Sequence, residues 1–191
     1  MPQITRTWLA FAALGAGMVH LALVGGSPLA FGIPLALLGA AEVAWGVLAF
    51  VRTDLVAPRI ARTVAFAPTV AWSLLVVAAT LFDAPALIAP LALVPMAVGA
   101  AFGLFVGAVL TVHLRDRGVA SAPRALPNAP RYLLALTAGA VVVGAMTTPA
   151  LAATEAGRFA QPHGAHQAGF VPEEDPAGIL TDADLPGHPD H

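Results

Sequence analysis

The chain has 191 residues, 58% hydrophobic and only 10% charged, with a mean hydropathy of +0.81 and a formal net charge of -2. A water-soluble domain carries roughly 25% charged residues, so a soluble fold of this length would expose large apolar patches. The absence of cysteine excludes disulfides, thiolate metal sites and cysteine nucleophiles.

Five apolar stretches follow one another, at about residues 8–24, 35–51, 64–82, 86–112 and 132–152. Each is near the ~20 residues a helix needs to cross a ~30 Å hydrocarbon core. The first follows Arg6 and has the outline of a signal peptide, but no small-residue cleavage site follows before the second stretch. It is therefore read as a retained helix. The first two stretches are short as bounded, and both can extend through the uncharged GGSPLAFGIP connection. The fourth is long and holds Pro90 and Pro95 near its start, which predicts a loop or kink there.

Two ionisable residues interrupt these stretches: His20 in the first and Glu42 in the second. A charge at the centre of a bilayer costs about 3 kcal/mol or more, so such residues face a bundle interior and find a partner. Their neighbours agree. His20 shares a helical face with Ala12, Ala13, Ala16 and Gly17, and Glu42 shares one with Gly39, Trp45 and Gly46. With an outer boundary near Gly25 and Gly32, His20 would lie ~8 Å deep and Glu42 ~15 Å deep at 1.5 Å per residue. A contact between them then needs long side chains, a tilt or one water. The functional reading is a proton or cation site; the structural one is a neutral, desolvated Glu hydrogen-bonded to a neighbouring helix.

Further along, Gly99, Gly103 and Gly107 form a GxxxGxxxG stripe in the fourth stretch, and Ala140, Gly144 and Thr148 repeat the spacing in the fifth. Such stripes let helices approach closely, either within the chain or against other membrane proteins. His113 falls at the end of the fourth stretch beside Arg115, which predicts an interfacial position far from His20 and no shared haem iron. Trp8, Trp45 and Trp72 read as packing or interfacial anchors.

Orientation comes from the connections. Arg6, then Arg52, Arg59 and Arg62, then Arg115, Arg117, Arg124 and Arg131 all fall on one side, and the alternate loops hold no arginine. The positive-inside rule makes that side cytoplasmic. The N-terminus is expected inside, the C-terminus outside, and the location is the plasma membrane, the inner membrane of a two-membrane cell. The expected fold class is all-α: a polytopic bundle of five transmembrane helices over residues 1–152.

Residues 153–191 differ sharply in composition. They hold seven acidic side chains against Arg158 alone, with abundant Pro and Gly, and predict a largely irregular extracytoplasmic tail. Four of the six histidines stand here in two H-x2-H pairs, His163 with His166 and His188 with His191. Neutral imidazoles are ligands for copper and zinc, and four can close one tetrahedral site. Arg131, the apolar run after it and the string Ala150-Leu151-Ala152 also have the order of a signal peptide, marking a candidate cleavage point after Ala152.

No Gly-rich phosphate loop, G-x-S-x-G elbow or HExxH helix occurs, so no enzymatic activity is expected. Topology accounts for the arginines without nucleic acid. Two functions remain: handling of copper or zinc through the tail histidines, or service as a non-catalytic accessory or assembly subunit of a larger membrane complex.

Overall fold

The computed structural model describes residues 1–89, 91–116 and 128–158. Among these, the chain is helical and holds no strand. Five long helices run α1 Gln3–Val24, α2 Leu29–Val51, α3 Pro58–Leu81, α4 Leu93–Asp116 and α5 Ala129–Ala152, with a single turn α6 at Glu155–Arg158. All five long helices are long and apolar enough to cross a membrane. The tail histidines His163, His166, His188 and His191 lie outside the described residues, as do Arg117, Arg124 and Pro90.

The helices differ from the apolar stretches at their ends, because hydropathy marks where apolar surface is needed and not where hydrogen bonding stops. Helix α1 starts at Gln3, so Arg6 and Thr7 are already helical. Helix α2 starts at Leu29 directly after Pro28 and carries Pro34 one turn in. Helix α3 starts at Pro58, a first-turn position where the missing N–H is no loss. Arg59 and Arg62, expected in a loop, therefore sit on its first turns.

The fourth stretch divides. Asp83 has φ 48°, in the left-handed region, and turns the chain out of α3. A 3-10 turn at Pro85–Leu87 follows, and α4 begins only at Leu93, with Pro95 in its first turn. Helix α5 is capped by Asn128, whose side chain accepts from the Arg131 N–H at 3.2 Å.

Helix α1 is the hub. Its apolar window is 61% buried, against 17% for those of α3 and α5. It packs on α2, α4 and α5, whereas α3 packs on α4. At 100° per residue its faces divide cleanly. Trp8, Phe11 and Gly15 meet α5 and Phe102, Gly17 meets α2, and Ala13 and Ala16 look into a space between α2 and α3. Those two helices scarcely touch. Arg6 ties the start of α1 to the α2–α3 connection by donating from Nη1 to the Thr53 carbonyl at 2.5 Å. The outer surface is strongly apolar: Leu37, Ile60, Leu74, Leu134 and Val141 are all exposed. Such a surface is what a bilayer covers.

Glycine sets the closest approaches. A Cβ on Gly17 would stand 2.7 Å from the Gly39 carbonyl oxygen, and one on Gly39 would stand 2.8 Å from that of Gly17. The α4 stripe is consumed within the chain. A Cβ on Gly103 would stand 2.5 Å from the Ala65 carbonyl oxygen, and one on Gly107 would strike the Phe66 ring. The α5 stripe behaves differently: Ala140 and Thr148 are exposed, and nothing lies within 4 Å of a Cβ on Gly144.

These contacts make a paired prediction. Gly17→Ala or Gly39→Ala should lower stability by about 1–3 kcal/mol through overpacking, whereas Gly144→Ala should be neutral or slightly stabilising. Reversible unfolding in mixed micelles reads both. Equal losses at all three sites would contradict the packing described.

Candidate functional site

The α1–α2 register places His20 and Glu42. Gly17 lies against Gly39 and Val43, and Gly46 lies against Ala10 and Leu14. Each residue of α1 thus faces a position of α2 whose number sums with its own to about 58, and His20 stands level with Leu38. Glu42 is four residues further along, an axial offset of about 6 Å. The offset is closed by side-chain direction. In a helix each Cα–Cβ bond tilts toward the N-terminus, and in an antiparallel pair these tilts oppose. His20 leans down toward the level of Glu42 while Glu42 leans up toward His20.

Their meeting is direct. His20 Nδ1 and Glu42 Oε2 are 2.6 Å apart, with His20 1% and Glu42 8% exposed. No water or tilt is required. The separation is slightly shorter than the usual range for a charge-assisted N–H···O bond. A carboxylic acid beside a neutral imidazole and a carboxylate beside an imidazolium hold the same number of protons, and both leave the pair without net charge. Loss of that shared proton leaves one negative charge on Glu42. Uncompensated, such a charge in an apolar interior is costly.

The other ring nitrogen, His20 Nε2, is buried without a hydrogen-bond partner. It lies over Gly99 of α4, where a Cβ would come within 3.1 Å of it. One turn along, Gly103 faces a second buried orphan, the Thr69 hydroxyl, 4.0 Å from a Cβ built there. Thr69 is unlike Thr63, Ser73, Thr111 and Thr147, whose hydroxyls donate to a carbonyl one turn back. The first two glycines of the α4 stripe therefore lie beneath polar groups of α1 and α3.

Glu42 also opens onto a cleft of about 150 Å³. Ala13 and Ala16 of α1 and Gly103 and Val106 of α4 form its floor, Ala41, Glu42 and Trp45 one wall, and Ala57 with Ile60, Ala61, Val64 and Ala65 of α3 the other. The floor residues are buried, while Ala41 and Ile60 at the rim are exposed, so the cleft opens sideways between α2 and α3. Trp45 bounds the end near the α2–α3 connection, its Nε1 donating to the Val56 carbonyl at 2.8 Å. Among the described residues, Glu42 is the only ionisable group in the lining.

The remaining candidates separate. His113 is in the last turn of α4 with Arg115. It is 14 residues from Gly99, about 21 Å along the axis from the contact with His20, too far for both imidazoles to meet one iron. Trp8 packs against Gly139 and Trp72 against the cluster around Val19, Leu23 and Met96. Ala150 is fully buried and Ala152 ends α5. Among the described residues, no group of three or more His, Asp or Glu side chains is placed to hold a metal ion.

Sequence pattern did not reveal the α3 wall or the role of Trp45 in the cleft. Small apolar residues such as Ala57, Ala61 and Ala65 have the same composition whether they line a cleft, a helix interface or a lipid-facing surface. No family model, curated protein or solved structure matches the chain.

The pair is open to a double-mutant cycle. His20→Leu and Glu42→Leu should each destabilise, because each strands the other's polar group, and the double variant should lose less than their sum. A coupling of about 1–2 kcal/mol is expected. Additive losses in mixed-micelle unfolding would mean that the pair makes no net interaction.

Proposed function

We propose that this chain is a non-catalytic, multi-pass protein of the plasma membrane whose working centre is a proton or cation site built on His20 and Glu42. The observation that carries the reading is the 2.6 Å bond between two fully or nearly buried ionisable groups at the head of a cleft. Ionisable residues at such positions are expensive and by default functional. The pair is uncharged while it holds its shared proton. Once that proton leaves, the remaining carboxylate calls for a cation, and the cleft is the route by which one can come. The site therefore exchanges a proton for another cation.

The proposed orientation has the N-terminus cytoplasmic and the C-terminus outside. It rests on the arginines, since Arg6 bonds to the α2–α3 connection at one end of the bundle, and Arg115 and Arg131 close α4 and open α5.

A second reading is carried by the two H-x2-H pairs, His163/His166 and His188/His191. These would take up copper or zinc outside the membrane and pass it to a partner. Alanine at all four positions distinguishes it from a purely accessory role. Loss of copper or zinc from the purified protein supports metal handling; unchanged metal content with loss of a co-purifying protein supports an accessory subunit.

The proton site itself is read by infrared difference spectroscopy across a pH step in lipid. A Glu42 band, from the carboxylic acid or from the carboxylate according to which group carries the shared proton, should change across the step and vanish in Glu42→Gln, and His20→Leu should shift it by removing its hydrogen-bond partner. An unaltered difference spectrum in Glu42→Gln would overturn the reading.

A further inference from the structure

We infer that the cleft between α2 and α3 binds the ammonium group of a small hydrophobic amine, which enters sideways from the lipid and displaces the proton held by His20 and Glu42. The inference rests on the proton-or-cation reading and names its ligand.

Four features select this chemistry. The lining offers one carboxyl group and otherwise apolar side chains, so a bare metal ion would lack the four or more ligands it requires. A hydrated inorganic ion would have to leave its water for alkyl groups. An organic ammonium instead brings its own apolar body to the walls and sets its charge against Glu42. Size agrees, since an apolar cavity of about 150 Å³ accepts a benzene-sized group, and the cleft has that volume. Trp45, one turn from Glu42, presents an aromatic side chain in the same wall, and a cation over such a ring gains about 0.5–2 kcal/mol. Finally, the opening lies between two helices whose outward residues, Leu37, Val47, Ile60 and Leu74 among them, are apolar. A ligand that partitions into hydrocarbon arrives at that rim.

Exchange follows from charge balance. While the pair holds its proton it is neutral. The incoming ammonium places one positive charge beside Glu42, the shared proton departs to water, and a carboxylate remains between the ammonium and the neutral His20 imidazole. No bond other than those to the proton changes. Among the described residues, the only other ionisable group facing Glu42 is His20. Arg6 reaches Thr53, Arg59 and Arg62 ride the first turns of α3, and His113, Arg115 and Asp116 end α4; none of these lines the cleft.

The test uses full-length protein in nanodiscs of phosphatidylcholine. Trp8→Phe and Trp72→Phe leave Trp45 as the sole indole, with benzylammonium as probe and benzyl alcohol as its neutral counterpart. Benzylammonium should change Trp45 emission saturably and bind at least about tenfold more tightly than the alcohol, the advantage of a buried charge pair over a neutral contact. Its affinity should rise with pH, by up to about tenfold per unit for one displaced proton, while the alkylammonium stays protonated. Glu42→Gln should remove both the preference and the pH dependence. Ala61→Phe, which fills the cleft and leaves the carboxyl group in place, should abolish binding of both compounds and keep the Glu42 infrared band. Equal affinity for amine and alcohol, a pH-independent affinity, or unchanged amine binding in either variant would overturn the inference. If the amine fails to bind while the Glu42 band still responds to the pH step, the ligand class falls and the proton site stands; if no Glu42 band responds to pH either, both fall.

Discussion

The backbone contact between Gly17 and Gly39 determines where everything else in the bundle can lie. Each glycine stands against the carbonyl oxygen of the other, so α1 and α2 approach too closely for a Cβ at either position and their relative slide is fixed. A slide of one turn would replace glycine with a bulkier neighbour and push the helices apart. With the slide fixed, the opposed tilt of the Cβ bonds carries His20 and Glu42 together across an offset of about 6 Å. A polar pair in an apolar bundle is thus positioned by residues with no side chains at all.

The same device operates on the far side of α1. Gly99 admits His20, and Gly103 and Gly107 admit the backbone and Phe66 ring of α3. Helices α1 and α4 form the middle of the bundle, with α2 packed on α1 and α3 on α4, and α2 and α3 scarcely touch. The cleft is the consequence of that separation. Its floor consists of small residues because the helices beneath it pack through small residues, and its single ionisable group belongs to the pair that the α1–α2 register assembles. Packing and site are one arrangement.

Much of this was legible in the chain, and the reasons for the rest are physical. Five apolar stretches predicted five helices, since length and lack of charge are strong signals. Their ends were less visible: Pro28 and Pro58 start helices inside segments that hydropathy alone assigns to connections, and α4 begins only at Leu93, several residues into the fourth stretch. The small-residue faces around His20 and Glu42 marked both as inward. Depth counting suggested a mismatch because it measures Cα positions and ignores the direction in which side chains lean. The cleft had no sequence signal, because alanines on α3 are compositionally silent. His163, His166, His188 and His191 belong to a segment outside the described residues, so the metal reading still rests on their spacing.

Exchange of a proton for an amine requires a buried proton shared between two groups, which makes the His20–Glu42 bond the central claim. Its most direct test is the internuclear distance between ring-labelled ¹⁵Nδ1 of His20 and ¹³Cδ of Glu42, measured by solid-state NMR in lipid bilayers, with the His20 signal identified by its loss in His20→Leu. The 2.6 Å hydrogen bond predicts a separation within about 4 Å. A separation beyond about 6 Å, too long for any hydrogen bond, would contradict the account.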